Sequence, residues 1–192
     1  MKKMEIQETE LRGVFLLTPK VFGDARGWFM ESWSKRVFEE AGIHVDFVQD
    51  NQSFSAQKGT LRGLHYQLNP MCQAKLVRCT RGELFDVAVD IRRGSPQYGR
   101  WTGARLSAEN KRQLFIPRGF AHGFITLTDD VEIQYKADNY YAPECDGGIR
   151  WDDPEIGVEW PIKPVILSEK DGAAPMLSER TDLNFVYEEN KM

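Results

Sequence analysis

The chain has 192 residues, the length of a single domain, and its hydrophobic fraction of 41% allows a substantial apolar core. A net charge of −4 excludes an overall positive field that would recruit nucleic acid or an acidic membrane. No segment approaches the ~18 apolar residues of a membrane span, and residues 1–3 lead into polar residues rather than into a secretion signal. The three cysteines lack CxxC spacing, which indicates neither a disulfide framework nor a zinc site. We therefore expect one cytoplasmic domain over residues 1–192.

Short strand patterns and turns alternate in the first part of the chain. The sequence predicts a strand at residues 14–17, a glycine-containing turn at 22–27 and a strand at 28–32. Ser34 and Gly42 are typical start and stop signals for a helix at residues 35–41.

From residue 60 the pattern is strand, turn and strand again. In the predicted strand 131–136, Val131, Ile133 and Tyr135 share one face, so Tyr135 is expected to point into the core or into a cavity within it. Many short strands with few helices predict an all-β sandwich or barrel. From residue 139 onward, prolines and turn residues predict an irregular segment, 139–192, that wraps the barrel. The strands of this middle part are predicted at 60–67, 75–79, 84–91, 101–106, 113–116, 120–127 and 131–136.

A histidine, His65, stands in the middle of a predicted strand. A core histidine satisfied by one hydrogen bond is one interpretation of it. Lys75, Tyr135 and Asp171 add a cation, a phenol and a carboxylate. Removal of a proton beside a carbonyl needs a base, a carboxylate that orients the base, a cation at the enolate oxygen and an acid on the opposite face. The four side chains suit those tasks.

The strand around His65 presents a geometric difficulty. Arg62 and His65 have opposite parity, so in a regular strand they face opposite sides. Both can line one site only where the strand is irregular, and Gly63 lies between them. We therefore predict a break in regular strand geometry near Gly63.

Long motifs in the chain resemble one known family. They run in order from about residue 14 to residue 175 and include Phe-Gly-Asp-Ala-Arg-Gly (22–27), Leu-Arg-Gly-Leu-His-Tyr-Gln (61–67), Ile-Pro-Arg-Gly-Phe-Ala-His-Gly-Phe (116–124) and Leu-Ser-Glu-Lys-Asp (167–171). With these motifs the sequence resembles the dTDP-4-dehydrorhamnose 3,5-epimerase family.

The resemblance implies a cupin-type jelly-roll barrel with a few short peripheral helices, acting as a homodimer without metal or cofactor. It implies epimerisation on both sides of the keto group of dTDP-4-dehydro-6-deoxy-D-glucose, to give dTDP-4-dehydro-L-rhamnose through enolate intermediates. His65 would be the base, paired with Asp171, Tyr135 the acid, and Lys75 the cation at the enolate.

The resemblance also implies a set of substrate-binding residues. Tyr140 would face the thymine, and Asp146 stands where the family often has a glutamate. Three of the nucleotide contacts, Phe22, Arg26 and Glu31, would come from the partner subunit. The remaining contacts implied are Gln49, Asn51, Arg62, Gln67, His122 and Lys170.

Three other functions fit parts of the sequence. A related enzyme could epimerise only one carbon of a similar dTDP-4-keto-deoxysugar. A jelly roll that binds a sugar nucleotide without catalysis would need the arginines but not the His65–Asp171 pair. Metal-dependent cupin chemistry needs more histidines than this chain offers, since Gln67 takes the place of a second histidine two residues after His65.

Overall fold

The computed structural model describes residues 4–189; residues 1–3 and 190–192, the ends of the predicted domain, lie outside the described residues. The described part contains two short helices, α1 (Lys35–Glu40) and α2 (Glu169–Gly172), and 3-10 turns at Pro143–Cys145 and Leu177–Glu179. None of its helices has the length and apolar character that crossing a membrane requires. In chain order the strands are β1 (Met4–Glu8), β2 (Phe15–Pro19), β3 (Val21–Asp24), β4 (Gly27–Met30), β5 (Gln49–Ser55), β6 (Leu61–Gln67), β7 (Lys75–Arg81), β8 (Glu83–Asp90), β9 (Trp101–Ser107), β10 (Gln113–Ile116), β11 (Phe120–Thr126), β12 (Val131–Ala137) and β13 (Asp146–Gly148).

Two antiparallel sheets pack face to face. One has six strands in the order β1-β2-β10-β7-β12-β5, and the other has five in the order β13-β6-β11-β8-β9. Side chains from both sheets form the apolar core between them, including Val77, Leu84, Leu106, Leu114 and Ile133. The predicted all-β jelly-roll barrel with a few short helices is confirmed.

The outer face of the five-stranded sheet is covered as well. On β8, Ala88 points into the core between the sheets, whereas Val87 and Val89 point outward and pack against Ile149 and Leu183. The side chains of β8 therefore alternate between two faces, and both faces are buried. Ile149 and Leu183 belong to the largely irregular segment that follows β12.

Some local predictions differ from the structure. The predicted turn at residues 22–27 is mostly strand, because β3 and β4 pair as a hairpin that forms its own two-stranded sheet. Ser34 lies at the N-terminus of α1, but its side chain makes no capping hydrogen bond. Packing of the buried Phe38 against the six-stranded sheet stabilises this helix instead, and Gly42 follows it with a positive φ of 80°.

The predicted break at Gly63 is confirmed. In the pairing of β6 with β11, His65 lies opposite His122, but Arg62 lies opposite Phe124, so the register shifts between these two pairs. Three steps along β6 match only two along β11, as in a β-bulge. Gly63 has a φ of 124°, and a Cβ atom at this position would lie 2.5 Å from the Cα of Gly123.

Replacing Gly63 should therefore destabilise the barrel. We expect Gly63→Ala to lower the free energy of unfolding by about 3 kcal/mol, because the new methyl group meets backbone atoms and the φ is unfavourable for alanine. Urea denaturation followed by circular dichroism measures the change. Gly172→Ala is the control, since a Cβ atom there meets nothing within 4 Å and the φ is ordinary. Equal stability of the two variants would contradict the prediction.

Candidate active site

A cavity of about 550 Å³ lies between the inner faces of the two sheets and is closed on one side by α2. Strands β5, β6, β7, β11 and β12 contribute to its wall together with residues 166–171. Eight of the residues singled out from the sequence line this one cavity: Asn51, Arg62, His65, Lys75, His122, Tyr135, Lys170 and Asp171. The bulge at Gly63 brings Arg62 and His65 to the same side of β6, which regular alternation would have prevented.

His65 and Asp171 form the closest polar pair across this cavity wall. The Nε2 atom of His65 lies 2.6 Å from Oδ1 of Asp171, and the side chains are 35% and 4% exposed. The other carboxylate oxygen accepts a hydrogen bond from the backbone N–H of Gly63 at 3.3 Å. Asp171 itself is held in place because its backbone N–H donates to Oγ of Ser168, which caps α2.

This geometry decides which nitrogen of His65 is available. Burial would raise the pKa of Asp171, but the hydrogen bonds from His65, Gly63 and Ser168 and the charge of His65 together hold it below its usual range. The carboxylate is therefore ionised near neutral pH and only accepts hydrogen bonds. Nε2 of His65 consequently donates to it, and Nδ1 is the nitrogen left to accept a proton from a ligand.

Lys75 supplies a cation whose charge is destabilised by burial at this position. Burial lowers the pKa of its ammonium group to about 8, against the opposing effect of the carboxylates of Asp86 and Asp146. Its Nζ lies 5.8 Å from the ring centroid of Tyr135. A poorly hydrated ammonium group of this kind interacts strongly with a developing negative charge.

Tyr135 is a phenol that stays protonated. It shares the inner face of β12 with Val131 and Ile133, as the alternation predicts, and it packs against the core between the sheets. Burial raises its pKa, with only partial compensation from the positive charge of Arg62. At neutral pH it is therefore a hydrogen-bond donor and a weak acid.

Two further cations lie at the exposed rim of the cavity. Arg62 donates hydrogen bonds to Oγ of Ser55 and to the backbone carbonyl of Phe54. Lys170 forms an ion pair with Asp146, the aspartate that stands where the family often has the longer glutamate. Both cations are at a suitable position for an anionic group at the cavity mouth.

Gln67 and Gln49 lie outside the cavity lining. The buried amide of Gln67 donates to the backbone carbonyls of Met71 and Tyr140. Gln49 donates to the side chain of Asn51 and accepts from the backbone N–H of the residue after Tyr140. In this structure the two glutamines hold the loop that carries the exposed Tyr140.

The hairpin residues are also placed apart from the cavity. Phe22 and Arg26 line a separate hollow of the β3–β4 hairpin, and Arg26 pairs with Asp24. Glu31 follows the end of β4. The ring of Phe29 is 69% exposed, so this hairpin presents apolar surface to the exterior.

Asp86 is a cavity-side residue that the sequence interpretation did not single out. Its Oδ1 atom lies 2.7 Å from Nε2 of His122, and the carboxylate is fully buried. The available signal was an acidic residue inside the alternating strand 84–91, on the face that points between the sheets. Within residues 4–189, no group of three or more His, Cys, Asp or Glu side chains could hold a metal ion.

The burial of Lys75 has a consequence for stability. Its pKa is about 8 in the folded protein and 10.5 ordinarily, so the unfolded chain binds more protons between these pH values and stability rises with pH across that window. Below pH 8 Lys75 is charged in the folded and in the unfolded protein, and the whole free energy needed to bury the charge reduces the stability. We expect Lys75→Met to raise the free energy of unfolding at pH 7 by on the order of 2 kcal/mol and to flatten the pH dependence above pH 8.

Urea denaturation at pH 7, 8, 9 and 10 measures this effect. The exposed Lys58 provides the control, since Lys58→Met should leave the pH dependence of the wild type in place. A Lys75→Met variant less stable than wild type at pH 7 would contradict the assignment of a costly charge.

Comparison with known proteins identifies the family of this chain. A family model described as dTDP-4-dehydrorhamnose 3,5-epimerase matches residues 8–179. A protein of that name from Shigella flexneri is 58% identical over 169 residues, which cover 88% of this chain and 93% of the relative.

Solved structures of related epimerases have the same fold as this chain. The dTDP-6-deoxy-D-glucose-3,5-epimerase of Legionella pneumophila in complex with dTDP-4-keto-L-rhamnose is 48% identical, with a TM-score of 0.92, covering 96% of this chain and 99% of that one. A 3′-monoepimerase from Streptomyces bikiniensis in complex with dTDP-quinovose is 35% identical, with a TM-score of 0.86, covering 93% and 92%. The protein belongs to the dTDP-4-dehydrorhamnose 3,5-epimerase family.

Proposed function

We propose that this protein is an isomerase that inverts the carbons on both sides of the keto group of dTDP-4-dehydro-6-deoxy-D-glucose and forms dTDP-4-dehydro-L-rhamnose. The observation that carries the proposal is the His65–Asp171 pair in one cavity with Tyr135 and Lys75. The scheme uses side chains alone, without a metal or cofactor.

The base of this scheme is His65. Its Nδ1 takes the proton from a carbon next to the ketone, and the electron pair of the broken C–H bond moves onto the carbonyl oxygen as an enolate. Asp171 stabilises the imidazolium that forms, because the ionised carboxylate accepts the hydrogen bond from Nε2.

The enolate is stabilised by Lys75, and the proton returns from Tyr135. One well-placed donor at such an oxygen contributes roughly 2.7–4 kcal/mol. The phenol of Tyr135 donates to the opposite face of the carbon, which inverts its configuration. Exchange with solvent then removes the proton from His65 and returns one to Tyr135, and the same groups act on the carbon on the other side of the ketone.

Binding of the nucleotide sugar relies on local positive charge, since the chain as a whole is acidic. We assign Arg62 and Lys170 at the cavity rim to the diphosphate, and Tyr140 to the thymine. Asp146, which pairs with Lys170, lies beside that group. The sugar contacts that we assign are Asn51 and His122. Gln49 acts on the sugar through Asn51, to which it donates from outside the cavity lining, and Gln67 holds the loop of Tyr140.

Epimerisation at a single carbon is the second candidate function. The observation that favours it is the similarity to a 3′-monoepimerase of the same fold at 35% identity. The relatives named 3,5-epimerase include several above 50% identity, which favours the double reaction.

Isotope exchange distinguishes these functions. We expect wild-type protein, incubated with dTDP-4-dehydro-6-deoxy-D-glucose in deuterated water, to introduce deuterium at both carbons next to the ketone, as measured by proton NMR. His65→Ala should lose both exchanges, by a factor of roughly 10²–10⁴. Tyr135→Phe should reduce product formation more than exchange, since it removes the acid and keeps the base.

Each other outcome points to an alternative. Deuterium at one carbon alone would favour the single-position epimerase. Binding of the nucleotide sugar without any exchange by the wild type would favour a non-catalytic binding protein. Undiminished exchange in His65→Ala would remove His65 as the base.

We also propose that two copies of the chain assemble and that each hairpin serves the cavity of its partner. The β3–β4 hairpin supports this arrangement, because it is a separate two-stranded sheet with Trp28 58% and Phe29 69% exposed. Its predicted nucleotide contacts, Phe22 and Arg26, do not line the cavity of their own chain. A symmetric dimer places the same hairpin on both partners.

Mixing of two inactive variants tests this exchange of hairpins. Arg26→Ala and His65→Ala should each impair activity, and refolding them together should restore about a quarter of the wild-type activity, because half of the dimers are mixed and each contains one intact site. Mixing His65→Ala with Lys75→Met is the control. It should restore nothing, because each barrel of a mixed dimer then carries one defect, whichever chain supplies the hairpin. Absence of restoration with Arg26→Ala would place the hairpin at its own barrel.

We place the protein in the cytoplasm. Cys72, Cys79 and Cys145 are all free thiols, which is usual for proteins of a reducing compartment.

A further inference from the structure

Asp86 is a buried acidic group to which the proposed reaction assigns no task. Its carboxylate is fully inaccessible to solvent, and Oδ2 has no hydrogen-bond partner among the described residues. A carboxylate in such a position is unfavourable unless nearby positive charge compensates it. The neighbours of Asp86 therefore indicate what it does.

The strand register places Asp86 beside the cavity. On β8 it has the parity of Ala88, whose side chain lies in the core between the sheets. Its partner on β11 is Phe124, which lines the cavity, as does His122 two residues earlier. Nε2 of His122 lies 2.7 Å from Oδ1 of Asp86.

The hydrogen bond to Asp86 fixes the ring of His122. An ionised carboxylate only accepts, so Nε2 of His122 donates and Nδ1 is the ring nitrogen left for a ligand. His122 also lies directly opposite His65 in the pairing of β6 and β11. The cavity wall thus contains two histidines on adjacent strands, each with its own buried carboxylate.

Lys75 is a cation near Asp86, in addition to the hydrogen-bond donor His122. Burial disfavours the ammonium charge, and the carboxylate of Asp86 is the largest of the effects that raise the pKa of Lys75 again, followed by that of Asp146. Asp146 is already paired with Lys170 at the rim. The carboxylate of Asp86 is therefore the main compensation for the ammonium group inside.

We propose that Asp86 is a positioning residue of the active site, which orients His122 towards the cavity and supplies the negative charge that keeps Lys75 protonated at the enolate oxygen. This inference rests on the role of Lys75 in the proposed function. The two buried carboxylates then have different roles, since Asp171 orients the base His65 and Asp86 stabilises the charge of Lys75.

Other charged and titratable groups also face Lys75 across the cavity and contribute to its environment. They come from β6, β11, β12, β13 and α2. These groups are Arg62, His65, His122, Tyr135, Asp146, Lys170 and Asp171.

The test is the pH profile of kcat/KM in Asp86→Asn. The asparagine keeps the size of the side chain and an oxygen for Nε2 of His122, but it removes the charge. Since the pKa of Lys75 is lowered to about 8, we expect wild-type activity to fall above about pH 8. In the variant we expect this alkaline limb to move down by about 1 pH unit, the low end of the effect of one nearby opposite charge. The dissociation constant of dTDP should remain unchanged, so the loss appears in kcat.

Asp90→Asn is the matched control. Asp90 lies on the same strand with the same parity and is equally buried, but its carboxylate is paired with Arg92 and Ser95. It should lose stability without any shift of the alkaline limb. An unshifted limb in Asp86→Asn, or an equal shift in both variants, would overturn the proposal.

Further variants separate charge from shape. Asp86→Glu should keep the limb at its wild-type position, and Asp86→Ser carries the same expectation as Asp86→Asn where the latter does not fold. In Lys75→Arg the limb should vanish, and Asp86→Asn should then add no shift. An alkaline limb that persists in Lys75→Arg would overturn the link between Asp86 and Lys75. Absence of deuterium exchange in the wild type would instead count against the proposed function.

Discussion

The hydrogen bond between His65 and Asp171 joins two parts of the chain that lie 106 residues apart. One is a strand of the barrel and the other is a single-turn helix in the segment that covers it. Asp171 is only 4% exposed, so its charge depends on the donors that surround it. Removal of one partner from such a buried pair typically costs 3–5 kcal/mol, about as much as a large core truncation. The same contact therefore fastens the covering segment to the barrel and orients His65, the proposed base.

The two sheets supply both an apolar core and a polar cavity from the same strands. On β12, Val131 and Ile133 pack into the core, and Tyr135, one step further along the same face, reaches the cavity. On β7 the same change occurs between Val77 and Lys75. The well-packed core holds these strands rigidly, so the polar side chains need little reorganisation when charge develops on a ligand.

Local patterns in the sequence were sufficient for most strands from residue 60 onward and for the four side chains that suit proton transfer, but β1, β3 and β5 were not predicted as strands. The alternation in β12 correctly oriented Tyr135, and the opposite parity of Arg62 and His65 correctly required a break at Gly63. Long-range pairing was beyond such patterns. The three-residue strand β13 exists only because it pairs with β6, and α2 is too short to have a helical period. The importance of Asp86 likewise depends on His122, which reaches it from another strand.

The order of these parts along the chain has a consequence for synthesis. Strands β1 to β12 end at Ala137, and the helix with Asp171 follows more than 30 residues later. A nascent chain on the ribosome can therefore complete the six-stranded sheet and four of the five strands of the other sheet while the carboxylate that orients His65 has not yet emerged. Such a barrel holds Arg62 and Lys75 but lacks Lys170 and the carboxylate that orients His65, so we expect turnover to start only after the covering segment has docked.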